Sequence, residues 1–173
     1  MEMTRHNKMP HTAVAGTSKA LVHVPANVAR KLTLLCTCHL ATCNIFQYSK
    51  TIIGGKQFSA GEKLIRGLRC GSVVTTTIHG WSMYGLVKQF LRVVCECLNF
   101  HDFAVVTWLP RPTYPDGDPL TVIVNLGDVP DVNNMNELDV IGLYDIEPSR
   151  VAVGHDQVHN CMSMMRMEGI DKM

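Results

Sequence analysis

The chain has 173 residues, of which 46% are hydrophobic and 18% charged, with a formal net charge of +1. These values are typical of one globular domain with its own core and exclude wholesale disorder, and no apolar run reaches the roughly 18 residues of a membrane-spanning helix. The seven cysteines are an odd number and no secretory signal precedes them, which favours reduced thiols in a cytosolic setting over a disulfide framework.

The first half of the chain predicts a flexible arm followed by short strands. Residues 1–19 are polar and lack periodicity, and the apolar segment 20–24 ends at Pro25. In 30–38, leucines and cysteines alternate mainly with threonines, which is the period of a half-buried strand. We predict strands over 20–24, 30–38 and 71–78, the last almost entirely β-branched, and a glycine turn between short strands within 52–61.

Residues 81–98 carry two overlapping patterns. The first part spaces its apolar residues as on a helical face, and the second part alternates apolar with polar residues as in a strand. We therefore predict a short helical turn over 81–87 and a strand over 90–98. Further strands are predicted over 103–109, 120–124, 140–146 and 151–153, with a proline-rich loop at 110–119.

The count of eight or nine short strands predicts an all-β fold. It is typical of an antiparallel β-sandwich or barrel with one or two short helices. The expected organisation is an N-terminal arm at 1–19, a folded domain at 20–153 and a C-terminal tail at 154–173. The methionine-rich tail is expected to be a short helix or frayed.

Charge is sorted along the chain. Residues 1–70 carry ten lysines and arginines against two acids, a net charge of +8, and residues 71–173 carry six against thirteen, a net charge of −7. A basic half of this kind can lie against a polyanion while an acidic half faces solvent, a metal or a neighbouring subunit. Two merely solvated faces are the alternative. The candidate phosphate contacts are Arg5, Lys8, Lys19, Arg30, Lys31, Lys56, Lys63, Arg66 and Arg69.

These basic residues predict binding without sequence specificity, because lysine and arginine meet phosphates rather than base edges. No aromatic-rich motif for stacking single-stranded bases accompanies them.

An acidic segment from Asp102 to Glu147 suggests a metal site. It carries nine acids against Arg111 alone, and carboxylate and amide oxygens on turns are the ligands that calcium prefers. The alternative is that Asp and Asn occur here because they favour turns. A calcium ion shared between subunits would also reduce the repulsion among these carboxylates. The candidate ligands are Asp116, Asp118, Asp128, Asp131 and Asn133.

The cysteines suggest a second candidate metal site. On strands, the pairs Cys36–Cys38 and Cys95–Cys97 would each point two thiols to one face, and together they could bind zinc. Their spacing is not that of a zinc knuckle, and small apolar thiols filling the inner face of a sheet are the simpler interpretation.

No catalytic motif is present in the sequence. A phosphate-binding loop, a nucleophile elbow and a strand-linked dinucleotide fingerprint are all missing. We therefore expect a protein that is not an enzyme and has no small-molecule substrate. An enzyme with dispersed catalytic residues is the third alternative, after the two functions given below.

The segment from Trp81 to Pro119 resembles part of the shell domain of single jelly-roll coat proteins from small icosahedral viruses, of the satellite or tombus-like type. The resemblance rests on a Trp-led apolar turn, the strand-like runs 90–97 and 103–110, and the Asp/Pro-rich loop 112–119. It covers about forty residues.

This resemblance implies a jelly-roll shell domain at 20–153, self-assembly into an icosahedral shell, and a basic N-terminal side that packages nucleic acid, which we expect to be RNA. It also implies calcium between subunits, assembly in the host cytoplasm and a final location in the virion, with no membrane partner. The arm departs from the usual pattern, since it holds only Arg5, Lys8 and Lys19 as basic residues. The alternative function is a small RNA-binding viral accessory protein with a Cys/His zinc site.

Overall fold

The computed structural model describes residues 12–13, 20–36, 39–60, 72–97, 99–114, 121–125, 137–149, 151–156 and 158–166. Within these residues there is one α-helix, α1 (Ala26–Leu35), and there are two short 3₁₀ helices at Leu40–Thr42 and Leu143–Asp145. The strands of the described residues are β1 (Thr12–Ala13), β2 (Ala20–Leu21), β3 (Asn44–Tyr48), β4 (Lys50–Ile53), β5 (Lys56–Ser59), β6 (Val73–Ile78), β7 (Trp81–Val94), β8 (Phe100–Trp108), β9 (Thr121–Asn125), β10 (Leu138–Gly142), β11 (Val151–Asp156) and β12 (Cys161–Arg166).

Six strands form a central sheet around the long strand β7. One side of β7 pairs with β8, and the other side pairs first with β6 and then with β3. β10 extends the sheet beyond β8, and β2 extends it beyond β3. All of these pairings are antiparallel, so the predicted all-β class with antiparallel sheets is confirmed.

Both faces of the central sheet are covered by other elements. On one face, Ile53 and Phe58 of the β4–β5 hairpin pack into a buried cluster with Val87 and Phe90 of β7. On the other face, α1 covers the second half of β7, and the three-stranded sheet β11–β12–β9 covers its first half. Because both faces are buried, apolar residues occupy neighbouring as well as alternating positions along β7.

A β-bulge interrupts the pairing of β7 with β8. Leu86 and Val87 pair in register with β8, and the next paired residue is Gln89, so Lys88 is an additional residue on β7. A bulge of this kind changes which face each following side chain occupies. Without a bulge, Leu86 and Leu91 would face opposite sides of the sheet because their positions along the strand differ by an odd number of residues. The bulge explains why both lie in clusters on the same face.

Helix α1 occupies part of the segment for which a strand at 30–38 was predicted, and that prediction is wrong. Val28, Leu32 and Cys36 recur every four residues, which places them on one helical face, and all three are buried in the cluster that includes Leu91. Pro25 precedes the first helical turn with extended backbone angles. The strand predicted over 20–24 is confined to β2, which ends before this proline.

The predicted helical turn at 81–87 is also wrong. These residues begin β7, which is joined to β6 by the two-residue turn His79–Gly80. Both turn residues have positive φ, 50° for His79 and 81° for Gly80, which is the backbone that a tight hairpin turn requires. The turn pairs Ile78 directly with Trp81.

The C-terminal part of the described chain is a hairpin rather than a helix or a frayed end. β11 runs across the predicted boundary at 153–154 and pairs with β12, which pairs in turn with β9. Met162 and Met164 of β12 are buried on one face.

Several of the other predicted strands are present. The strands predicted over 71–78 and 120–124 are β6 and β9, and the glycine turn joins β4 to β5. In the part predicted as a strand over 140–146, β10 ends at Gly142 and a 3₁₀ helix follows.

In the part of the chain that the structure describes, no helix has the length and apolar character needed to cross a membrane.

A candidate nucleic-acid-binding groove

The β6–β7 turn forms one wall of a groove on the surface. Ile78 and Trp81 flank the turn, and both residues are exposed, Trp81 to 61%. Large apolar side chains normally lose their contact with water during folding, so an exposed tryptophan at a hairpin end is available to a partner.

The opposite wall is the segment that follows β8. The backbone N–H of Leu109 donates to the carbonyl of Tyr84 at 2.9 Å, which ties this segment to β7. Thr113 exchanges two backbone hydrogen bonds with Ile123 of β9, each 2.8 Å long. The segment between these anchors carries Arg111, and Tyr114 follows the second anchor with 61% of its surface exposed.

Arg111 and Trp81 meet across the groove. The guanidinium carbon lies 4.2 Å from the centre of the Trp81 ring, which is a cation–π contact. The groove has a volume of about 360 Å³, which lies within the size range of small-ligand sites. Arg111 is the one residue with a permanent charge in its described lining, and none of the described lining residues is acidic.

These features define a groove, referred to here as the Trp81–Arg111 groove, that combines aromatic surfaces with one cation. A flat ring can stack on Trp81 or Tyr114, and Arg111 can pair with an anion attached to that ring. A nucleotide offers both groups, since its base is flat and its phosphate is anionic.

Of the basic residues predicted from sequence, the three that the structure describes do not line this groove. Arg30 is exposed on α1, and Lys56 begins β5 with its side chain partly buried. Lys31 lies over β10, where its ammonium donates to the Leu138 carbonyl at 2.6 Å and contacts Asp139 at 3.2 Å. The remaining predicted contacts lie outside the described residues, namely Arg5, Lys8, Lys19, Lys63, Arg66 and Arg69.

The contact between Lys31 and Asp139 joins the basic and the acidic halves of the chain. Burial works to raise the pKa of Asp139, but hydrogen bonds from the Trp108 indole, the Val140 N–H and Lys31 outweigh it, so the pKa is lowered. The two halves therefore touch here instead of lying on fully separate surfaces, and part of the charge of Lys31 is already neutralised.

A second ion pair lies inside the central sheet. Arg92 of β7 donates from Nε and Nη2 to the two carboxylate oxygens of Asp102 on β8, at 2.7 and 2.8 Å. These hydrogen bonds are the largest of the causes that raise the pKa of Arg92. The Phe100 ring covers the guanidinium, with its centre 4.1 Å from the guanidinium carbon. Both carboxylate oxygens of Asp102 therefore accept hydrogen bonds that join β8 to β7.

The predicted calcium ligands Asp116, Asp118, Asp128, Asp131 and Asn133 all lie outside the described residues. Among the residues that the structure does describe, no group of three or more His, Cys, Asp or Glu side chains could hold a metal ion. The three described cysteines of the zinc interpretation do not sit on two adjacent strands as expected. Cys36 ends α1, Cys95 follows β7, Cys97 lies in the next turn and Cys38 is outside the described residues.

No sequence motif marks the groove residues as a site. Trp81 and Arg111 are thirty positions apart in the sequence. They meet because β8 pairs with β7, and because the segment after β8, which carries Arg111, then runs beside the beginning of β7, which carries Trp81. The available signal was an aromatic residue directly after the dipeptide His79–Gly80, which is consistent with a two-residue hairpin turn.

The chain matches no protein-family model, no curated protein and no solved structure.

Proposed function

We propose that this protein binds single-stranded nucleic acid, RNA in its biological setting, without sequence specificity. The observation that carries the proposal is the Trp81–Arg111 groove, in which an exposed indole, an exposed phenol and a guanidinium lie together. Stacking is tolerant of sequence because every base has a flat aromatic face.

The proposed mode of binding uses the contact already present. The planar guanidinium of Arg111 lies over the Trp81 ring, which indicates that this ring can accept a flat partner. A base takes the place of the guanidinium against the indole, and Arg111 then pairs with the adjacent phosphate. The basic residues of the first seventy positions add phosphate contacts along the same strand and make the affinity sensitive to salt.

Binding is tested with a short fluorescently labelled single-stranded RNA of mixed sequence and anisotropy measured at about 50 and 200 mM salt. Trp81→Ala is expected to weaken binding about 5- to 150-fold, which corresponds to the roughly 1–3 kcal/mol of one stacked base. Arg111→Ala is expected to weaken binding about 10- to 150-fold, which corresponds to the roughly 1.5–3 kcal/mol of hydrogen bonds to a charged group. Tyr144→Ala is the matched control, because Tyr144 is half exposed but lies outside the groove. Equal affinity of the wild type and both groove variants would refute the proposal.

The proposed biological role is that of a viral coat protein that packages RNA. In this proposal the body is a single jelly roll, and many copies assemble into an icosahedral shell in the host cytoplasm and leave in the virion. One observation supports self-association: Leu34 of α1 is 82% exposed. Exposed apolar residues are surfaces on which further copies can pack.

Assembly is tested by size-exclusion chromatography and electron microscopy of the purified chain, with calcium or with a chelator. Particles of megadalton mass support the shell, and a small oligomer under every salt and calcium condition contradicts it. Variants in which Asp116, Asp118, Asp128 and Asp131 are replaced by Asn test the calcium bridges, since these variants should lose any response to the chelator.

The alternative proposal is a small RNA-binding accessory protein that carries zinc. It shares the groove with the first proposal and differs in its oligomeric state and metal content. Stoichiometric zinc in elemental analysis of a small, stable oligomer would favour it.

A further inference from the structure

Two thiols meet at the end of the pairing between β3 and β7. The Sγ atoms of Cys43 and Cys95 are 3.6 Å apart, and neither residue is in a disulfide. Cys43 precedes β3 and Cys95 follows β7, so they are sequence neighbours of the paired residues Asn44 and Val94. The register of these strands therefore places the two cysteines directly opposite each other.

The backbone around this pair suits a disulfide. The N–H of Cys43 donates to Leu40 and the N–H of Cys95 donates to Asn99, so the two cysteines are a pair without mutual backbone hydrogen bonds. In such pairs the Cα atoms are about 4.5 Å apart, within the range of roughly 4.4–6.8 Å that a disulfide spans. Cys43 itself has extended backbone angles, φ −97° and ψ 148°, and so continues the strand direction of β3.

The two thiols differ in exposure. Cys43 is partly exposed at the edge of the cluster that α1 covers, with its Sγ 3.2 Å from the His39 carbonyl oxygen. Cys95 is 4% exposed within the same cluster. A soluble oxidant can therefore reach Cys43, and the Sγ atom of the buried Cys95 lies 3.6 Å from that of Cys43.

We propose that Cys43 and Cys95 form a reversible disulfide that responds to the redox state of the surroundings. The oxidant is glutathione disulfide. The Cys43 thiolate attacks one of its sulfurs, forms a mixed disulfide and releases one glutathione. The Cys95 thiolate then attacks Sγ of Cys43, which forms the Cys43–Cys95 bond and releases the second glutathione. The two protons lost by the cysteines pass to the two glutathione thiolates, so two protein thiols are oxidised and one glutathione disulfide is reduced.

The bond would join the beginning of β3 to the end of β7 across the central sheet. It restricts the unfolded chain over the whole segment between the two cysteines, so oxidation is expected to stabilise the fold. The protein would have thiols in a glutathione-buffered cytosol and a cross-linked sheet in an oxidising environment. This inference does not depend on nucleic-acid binding.

The test uses the full chain, incubated with glutathione disulfide or with dithiothreitol. Non-reducing peptide mapping is expected to find a peptide linking Cys43 to Cys95, and the oxidised protein is expected to melt roughly 5 to 15 °C higher than the reduced protein. Cys43→Ser should abolish this difference, whereas Cys97→Ser should retain it, because Cys97 is an exposed thiol two residues from Cys95.

Mapping of the wild type keeps the test decisive even if Cys43→Ser folds poorly. Linkage of Cys43 to Cys95 that reverses with dithiothreitol supports the proposal. Glutathione adducts without an internal bond, or a disulfide between any other pair, would overturn it. An unchanged melting temperature of protein shown to be linked would overturn the proposed stabilisation.

Discussion

Removing one partner of the ion pair between Arg92 and Asp102 should cost more stability than removing one partner of any other charged contact described in the fold. We consider Asp102→Asn, which keeps the shape of the side chain but removes its charge and one of its two acceptor oxygens. The pair has two hydrogen bonds of 2.7 and 2.8 Å, and the side chains of Arg92 and Asp102 are 19% and 8% exposed. The substitution therefore leaves a largely buried guanidinium without its counter-charge.

The magnitude follows from this burial. Removing one partner of a fully buried pair costs about 3–5 kcal/mol. Here the guanidinium keeps its contact with the Phe100 ring and some access to water, so we expect a loss of about 2–3 kcal/mol in the free energy of unfolding. For comparison, Asp139→Asn breaks a pair whose side chains are both 37% exposed and weakens the hydrogen bond that the Trp108 indole donates to Asp139, and about 1–2 kcal/mol is expected.

Urea denaturation followed by circular dichroism measures both values under identical conditions. For Asp102→Asn the midpoint should fall by roughly 1–1.5 M, with an unchanged slope. The combined variant Arg92→Met with Asp102→Leu should recover most of the loss, because no buried charge remains. If Asp102→Asn costs no more than Asp139→Asn, the reasoning from burial and bidentate geometry is wrong.

Two further predictions concern α1 and the contact beneath it. Leu32→Ala should cost about 2–4 kcal/mol because Leu32 is fully buried against the sheet, whereas Leu34→Ala, on the exposed face, should change stability by less than about 0.5 kcal/mol; urea denaturation showing equal losses would argue against the helix. Because the pKa of Asp139 is lowered by folding, its contribution to stability is present above its unfolded pKa of about 3.9 and is lost as the pH falls through the folded value. The free energy of unfolding of Asp139→Asn should therefore fall less steeply than that of the wild type when the pH is lowered below about 4, and parallel curves would contradict the assignment.

The sequence of α1 predicts a strand because it is compatible with both the two-residue period of a strand and the four-residue spacing of a helical face. Leucines and cysteines at alternating positions of 30–38 indicate a strand, but Val28, Leu32 and Cys36 also recur every four residues. Which period applies is decided by the sheet beneath, because only the helical face finds buried partners on β7, β8 and β10. A single short apolar run does not contain that information.

The strand β7 was partly mistaken for a helix for a different reason. Both of its faces are buried and a bulge at Lys88 shifts the alternation, so apolar residues fall at Leu86, Val87, Phe90 and Leu91. That spacing matches a helical face by coincidence. By contrast, β6 and β9 follow simple β-branched or alternating patterns and were predictable.

The candidate site was the least predictable part, because it depends on long-range pairing. The predicted basic residues follow from charge alone, and Lys31 is already engaged with Asp139 in the fold. Trp81 and Arg111 look unrelated in the sequence, since only the register of β7 and β8 brings them together.

Tryptophan fluorescence tests stacking in the groove most directly. The chain has two tryptophans, and they differ in setting: Trp81 is exposed in the groove, and Trp108 is partly buried with its indole N–H donated to Asp139. Titration with single-stranded RNA is expected to quench the emission of the wild type in a saturable manner, and Trp81→Phe should lose most of that quenching. Quenching of equal size in Trp81→Phe, or none in the wild type, would contradict base stacking on Trp81.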